Sequence, residues 1–280
     1  MTTHGEDAPD GGGRARRIDT SRPSVSRVYD ALLGGKDNFR PDREARDRLL
    51  AIDPQMGRAS WDLRDFLIRV TRFLAGEVGV TQFLDCSVTL PSTENVHEVA
   101  QRLNRESTVV YVSRDPVVLA HGRALLADND RTHMAEADYR RPRQVIEHPT
   151  VAKHLDFEQP VALYHAGTLR YVPDKWDPVG IMAGYIDALP SGSYVALAHL
   201  LEPGAGHELH ELATKVRQVA QEYGIGSFSR SREKILAMLH GLQLLEPGLV
   251  PLADWWPDGP RLRPLAPMQR LALGAVGRKP

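Results

Sequence analysis

From residue 82 onward, short apolar runs alternate with stretches of helical period. The runs are QFLDCSV (82–88), TVVYVS (108–113), THMAEA (132–137), PVALYHA (160–166) and SYVALAH (193–199). Short runs of this kind, separated by helical segments, predict an α/β fold in which a parallel sheet is joined by crossover helices. The segments between them are ENVHEVAQRLN (94–104), DPVVLAHGRALLAD (115–128) and DPVGIMAGYIDAL (177–189). The last two open with Asp-Pro, where the aspartate can cap and the proline suits the first helical position. Two more helices are expected at 207–223 and 231–240, and LQLLEPGLVPL (242–252) with LALGAVGRK (271–279) reads as a closing antiparallel pair.

Ahead of the sheet the pattern is helical. In SRVYDALLGGKDNF (26–39), Val28, Leu32 and Leu33 share one side of a short helix that Gly34 and Gly35 end. A second helix is expected from Asp42 to about Ile52. A third, over 61–78, places Leu63, Phe66, Leu67, Val70, Phe73 and Leu74 at spacings of three and four, which predicts packing on a core. Residues 1–25, with GGGRARR, Pro9 and Pro23, offer almost nothing apolar to offset the entropy of ordering and read as a disordered arm. The expected division is a disordered arm (1–25), an N-terminal helical segment (26–80) and an α/β core (81–280).

Composition narrows the function. The 280 residues carry 35 Lys plus Arg against 36 Asp plus Glu, which leaves no broad basic face for a nucleic-acid backbone. No apolar stretch approaches the length of a membrane span, and the polar N-terminus lacks the core of a signal peptide. A cytoplasmic protein acting on a small-molecule substrate, as a monomer or homo-oligomer, is the expectation. The single cysteine, Cys86, cannot form an internal disulfide and reads as a small buried hydrophobe. His207 and His210 have helical i, i+3 spacing but no third ligand, so no metal site is expected.

In an open parallel sheet, ligands bind beyond the carboxyl ends of the strands. Those ends hold Asp85, Cys86, Ser87 and Thr89; Ser113, Arg114 and Asp115; Asp138; Tyr164, His165, Thr168 and Arg170; and His199. His165 is a candidate general acid or base, since its ordinary pKa suits proton transfer at neutral pH. Strand alternation lets only one of Tyr164 and His165 point at a given layer. Asp115 and His199 read as structural, Asp115 as a helix cap. The loop Lys36, Asp37 and Asn38, with Tyr29, is either a lid over the ligand or a capped turn.

These motifs together resemble a known family. SRVYDALLGGKDNF, LPSTENVHEVA (90–100), VYVSRDPVVLAH (110–121), PSGSYVALAH (190–199), LEPGLVPLADWWP (245–257) and the terminal GAVGRKP are similar to the actinobacterial S-adenosylmethionine-dependent methyltransferases of a former unknown-function group. The resemblance spans about residues 18–280. It implies a class I methyltransferase (Rossmann-like) fold: a mostly parallel seven-stranded sheet with an antiparallel last strand, a helical cap, and S-adenosylmethionine across the first two strand ends. It places donor contacts at Asp85, Ser87, Thr89, Asn95, Ser113 and Asp138.

The chain departs from the family pattern at these ends. Ser87 and Thr89 stand where glycines normally let the backbone pass close to the donor, and Ser113 stands where a carboxylate normally accepts from both ribose hydroxyls. At the fourth strand Tyr164 and His165 add polarity, and Arg170 occupies a usual histidine position. Three readings follow: a methyltransferase with an impaired donor site, a donor-independent acid/base enzyme (cyclase, isomerase or hydrolase) using Tyr164, His165 and Arg170, and a non-catalytic binding protein.

Overall fold

The computed structural model describes residues 18–280 apart from 88, 89, 91–93, 127 and 128. Thr89 and residues 1–17 therefore lie outside the described residues. Residues 18–24 do not behave as a loose arm: Arg27 Nη2 donates to the carbonyls of Asp19 and Arg22, and Ser24 Oγ caps the first helix by accepting from Arg27 N.

Three N-terminal helices come first: α1 (Val25–Leu32), α2 (Arg40–Ile52) and α3 (Met56–Arg72), the last widening into a π-helical turn at Phe73–Val78. Gly34, at φ +81°, takes the left-handed conformation that lets the chain leave α1. Asp42 does not precede α2 but sits in its first turn, where its carboxylate accepts the backbone N–H of Phe39 at 2.8 Å. The helix thus starts at Arg40, capped from within.

The core follows the predicted alternation: β1 (Gln82–Asp85), α4 (Val96–Leu103), β2 (Thr108–Ser113), α5 (Pro116–Leu125), β3 (Thr132–Glu136), α6 (Pro142–Ile146), α7 (Pro149–His154), β4 (Ala162–Ala166), α8 (Pro178–Ala188) and β5 (Tyr194–Leu200). After α9 (His210–Glu222) and α10 (Arg232–Ala237) come β6 (Gln243–Leu244), β7 (Val250–Pro251), α11 (Pro267–Leu271) and β8 (Ala272–Arg278). The sheet order is β3-β2-β1-β4-β5-β8-β6, with β7 also paired to β8. Strands β1 to β5 run parallel and β8 antiparallel to β5. This is a class I methyltransferase fold. It has eight strands rather than seven because the run 242–252 turns at Glu246–Gly248, where Gly248 has φ +80°, and reaches β8 in two pieces. Helices α6, α7 and α11 were not anticipated; each has proline in its first turn and is too short to show a period.

Both faces of the sheet are covered. Phe83, Tyr164, Ala196 and Val276 pack with Phe66, Val70 and Leu74 of the α3 segment, whereas Leu84, Leu163 and Leu197 pack with Met182 and Tyr185 of α8. Gly274 on β8 is required by this packing, since a Cβ there would lie 2.6 Å from Leu252 and 3.1 Å from the Phe66 ring. Among the described residues no helix is long and apolar enough to cross a membrane.

Candidate functional site

Beyond the carboxyl ends of β1, β2, β4 and β5 lies a cavity of about 520 Å³, roofed by α1, α2 and α3. Such a volume suits a small-molecule site. Its lining includes Cys86, Ser87 and Ser113 after β1 and β2, Thr168, Arg170 and His199 from the β4 and β5 side, Tyr29 from α1, and Tyr139, whose hydroxyl donates to Thr168 O at 3.5 Å.

At the β1–β2 end the polar groups are largely engaged with one another. Asp85 is buried and accepts from Ser87 N at 2.7 Å and Ser87 Oγ at 2.5 Å. Burial raises its carboxyl to about 6, against the opposing effect of the two Ser87 bonds. Ser87 lines the cavity while its hydroxyl points back to Asp85. Ser113 Oγ accepts from Asp115 N at 3.2 Å, and Asp115 caps α5 by accepting from Val117 N at 2.8 Å. Asp115 is thus the helix cap that its position before Pro116 suggested. Asp138 pairs with Arg140 at 2.6 Å and Arg114 at 2.9 Å. Burial would raise this carboxyl, but the bonds and charges of the two guanidinium groups outweigh it and hold Asp138 below the usual carboxylate range. Tyr139 and Arg140, rather than Asp138 itself, reach the cavity wall. Asn95 caps α4, its backbone and side-chain amides donating to Glu98, and does not line the cavity.

The other end is built by the turn after β4. Gly167, at φ +85°, redirects the chain under Leu63, and Thr168, Arg170 and Tyr171 then line the cavity. The Arg170 guanidinium lies 4.9 Å from the Tyr171 ring centroid. His199 lines the wall and is fixed on both sides: Nδ1 donates to Leu200 O at 2.9 Å and Nε2 accepts from Arg230 Nη1 at 2.9 Å. A ring so held is neutral, and burial, reinforced by the charge of Arg230, lowers its pKa to about 3. Tyr29 donates to Ser60 O at 2.9 Å, and burial pushes its hydroxyl pKa well up. Leu63 and Leu67 of α3, Met56, Val216 and Met268 supply an apolar wall.

Several expected site residues lie elsewhere. Tyr164 and His165 do alternate, but both are fully buried and neither lines the cavity. Tyr164 OH meets Thr71 Oγ1 at 3.0 Å on the α3 side. His165 points to the α8 side, 4.8 Å from the Tyr185 ring, with Nδ1 bonded to Thr168 Oγ1 at 3.0 Å. Burial lowers its pKa to about 3. Lys36 and Asp37 are exposed and outside the lining, and Asn38 Nδ2 donates to Asp30 Oδ2 and Gly35 O, which makes this segment a capped turn. Of the lid set only Tyr29 faces the cavity. Arg64, Ser60 and Tyr139 line it and were not anticipated. Ser60 and Arg64 lie in register with Leu63 and Leu67, and polar residues on an otherwise apolar helix face were the available signal.

A family model described as S-adenosyl methyltransferase matches residues 12–280. The chain belongs to the S-adenosyl methyltransferase family. A solved structure of a candidate methyltransferase from Thermobifida fusca YX is 39% identical, with 93% of this chain and 96% of that chain covered and a TM-score of 0.87. A DUF574 family protein from Streptomyces avermitilis is 34% identical, with 94% and 100% covered and a TM-score of 0.88. An O-methyltransferase family protein from Burkholderia thailandensis is 11% identical, with 84% and 60% covered and a TM-score of 0.50, a likeness of fold alone. No curated protein matches the chain.

The donor that defines the S-adenosyl methyltransferase family fits the residues present. Ser113 Oγ accepts one bond, and its own proton has no described acceptor, so it can donate to a ribose hydroxyl. The Tyr139 ring offers an aromatic wall for a purine, and Cys86 and Ser87 bring the end of β1 to the same space.

Proposed function

We propose that this chain transfers a methyl group from S-adenosylmethionine to a small molecule, using a donor site weakened by Ser113 in place of a carboxylate and by Ser87 in place of a glycine. The observation that carries the reading is the single unbroken cavity from Ser87 and Ser113 to Arg170 and His199. The donor supplies an electrophilic methyl on a sulfonium. Ser87, Ser113 and Tyr139 would hold it, α1 to α3 cover one side of the cavity, and holding methyl and acceptor together there would contribute much of the rate.

The protein adds little proton chemistry. His199 keeps Nε2 occupied, the Tyr29 hydroxyl stays protonated, and Asp115 is spent on the α5 cap. Burial likewise holds the proton on the Cys86 thiol. An acceptor atom that is already unprotonated at neutral pH suits such a wall. A small-molecule acceptor agrees with an enclosed lining of this size better than a nucleic acid does. Calorimetric titration with S-adenosylhomocysteine tests the reading. One-to-one binding at concentrations up to ~1 mM is expected, corresponding to about 4 kcal/mol or more, and a flat titration would overturn it.

A further inference from the structure

Arg170 is a charged group without a counter-charge. Its Nε is shielded from solvent and has no hydrogen-bond partner, and none of the ion pairs among the described residues includes it. The nearest carboxylate in sequence, Asp174, is spent on Arg230 and Lys234, at 2.8 and 3.1 Å. The guanidinium nevertheless lines the cavity, where the Tyr171 ring stacks near it and its charge is felt at both Tyr29 and His199. The shielded Nε is out of reach of a ligand in the cavity, but with no acceptor bonded to any part of this side chain among the described residues, the guanidinium keeps its charge for a ligand, and its fork of N–H groups matches an oxyanion. Beside it stand Tyr29, Tyr171 and His199, and the same cavity is lined further by the apolar Met56, Leu63, Leu67, Val216 and Met268.

We infer that Arg170 is the anchor for a carboxylate on the methyl acceptor, which is therefore an amphipathic acid whose apolar body lies against α3 and α9. The word acceptor rests on the methyl-transfer reading, whereas the anchoring of an apolar carboxylate does not. A planar carboxylate satisfies the fork, and the apolar wall disfavours a group with a larger hydration shell.

Calorimetry on the full chain, with and without saturating S-adenosylhomocysteine, decides this with octanoate and octanamide as probes. The two share shape and chain length and differ in charge. Octanoate should bind about tenfold or more tightly than octanamide. Arg170→Gln should abolish that preference, and Arg170→Lys should retain part of it, with circular dichroism confirming the fold of each. Equal binding of the two probes to the unmodified chain overturns the inference, as does a preference that survives in a folded Arg170→Gln variant. If Arg170→Gln fails to fold, the unmodified chain and Arg170→Lys carry the decision. An octanoate preference that persists where S-adenosylhomocysteine does not bind supports the anchor and overturns only the methyl-transfer reading.

Discussion

His199 accepts through Nε2 a hydrogen bond of 2.9 Å from Arg230 Nη1. The same buried guanidinium donates to the carbonyls of Leu169 at 3.0 Å and Val172 at 2.6 Å, so one side chain ties the end of β5 to the turn that carries Arg170. Replacing Arg230 by Met would strand those carbonyls and the imidazole nitrogen. A loss of about 3–5 kcal/mol in denaturant unfolding is expected, together with weaker binding of any ligand that touches the turn. A loss below ~1 kcal/mol would show that the guanidinium bonds are replaceable by water.

Three buried groups with large shifts make the clearest contributions to the pH dependence of stability. His165 and His199 have folded pKa values of about 3, below the ordinary 6.5. The unfolded chain therefore takes up these protons first, and stability that is complete above pH 6.5 is lost as pH falls toward 3. Asp85 works in the opposite sense: its folded value of about 6 exceeds the ordinary 3.8, so the native state takes up that proton first. Near pH 5 these groups leave the unfolded state about one proton ahead, a slope of about 1.4 kcal/mol per pH unit. Asp85→Asn removes the opposing contribution and should steepen the slope near pH 5 by about 1.2 kcal/mol per pH unit. Urea unfolding at a series of pH values measures it, and an unchanged slope in Asp85→Asn would show that Asp85 titrates normally.

Placing His165 away from the cavity predicts a mild effect on chemistry. Loss of a positioned general acid or base costs about 10²–10⁴-fold in turnover. His165→Gln should instead leave methyl transfer within about threefold, while reducing the acid sensitivity of stability by one proton. Radiolabelled methyl transfer into the acceptor reads the first effect and urea unfolding the second. A hundredfold fall in turnover with intact folding would return His165 to the reaction.

Much of the fold was legible in the sequence because its strands are short apolar runs set between helices. The run at 108–113 became β2 without change, since every residue after Thr108 is buried. The site was less legible. Alternation separated Tyr164 from His165 correctly, but a strand covered on both faces sends each side chain into packed core, and the cavity begins only beyond Ala166. The period of α3 identified Leu63 and Leu67 as inward-facing, yet a helix presents the same stripe to a packed core and to a hollow one. Ser113, Tyr29 and Arg170 do line the cavity; Ser113 and Arg170 were singled out by where they follow strands and by the family resemblance, and Tyr29 by its helix before the Gly34 stop, information that a period does not carry.

Ser113 allows a direct test of the donor side. An aspartate at this position could accept from both ribose hydroxyls, whereas the serine offers one hydroxyl already accepting from Asp115 N. Ser113→Asp should tighten S-adenosylhomocysteine binding by about tenfold, or ~1.4 kcal/mol. Ser113→Asn provides the neutral control and should give a smaller gain. Calorimetry on the two variants decides the matter, and an affinity unchanged by aspartate would mean that the ribose is held elsewhere.

The roof of the cavity depends on a buried ion pair. Arg27 Nε meets Asp42 Oδ2 at 2.8 Å with side-chain exposures of 4% and 0%, and the carboxylate also accepts the backbone N–H groups of Ser24 at 2.9 Å and Phe39 at 2.8 Å. One side chain thus holds the start of α1 against the start of α2. Val25, Val28 and Tyr29 of α1 line the cavity, so loosening this joint opens the site. Asp42→Asn leaves the Arg27 cation buried without its partner, at an expected cost of about 3–5 kcal/mol. Adding Arg27→Met removes the stranded charge, and the double variant should recover part of that loss because the two residues act as a unit. S-adenosylhomocysteine affinity should follow the same order: strongest in the unmodified chain, intermediate in the double variant and weakest in Asp42→Asn. Ligand affinity that stays constant while stability falls would show that α1 is a passive cover, and that the binding surface does not depend on how α1 is held.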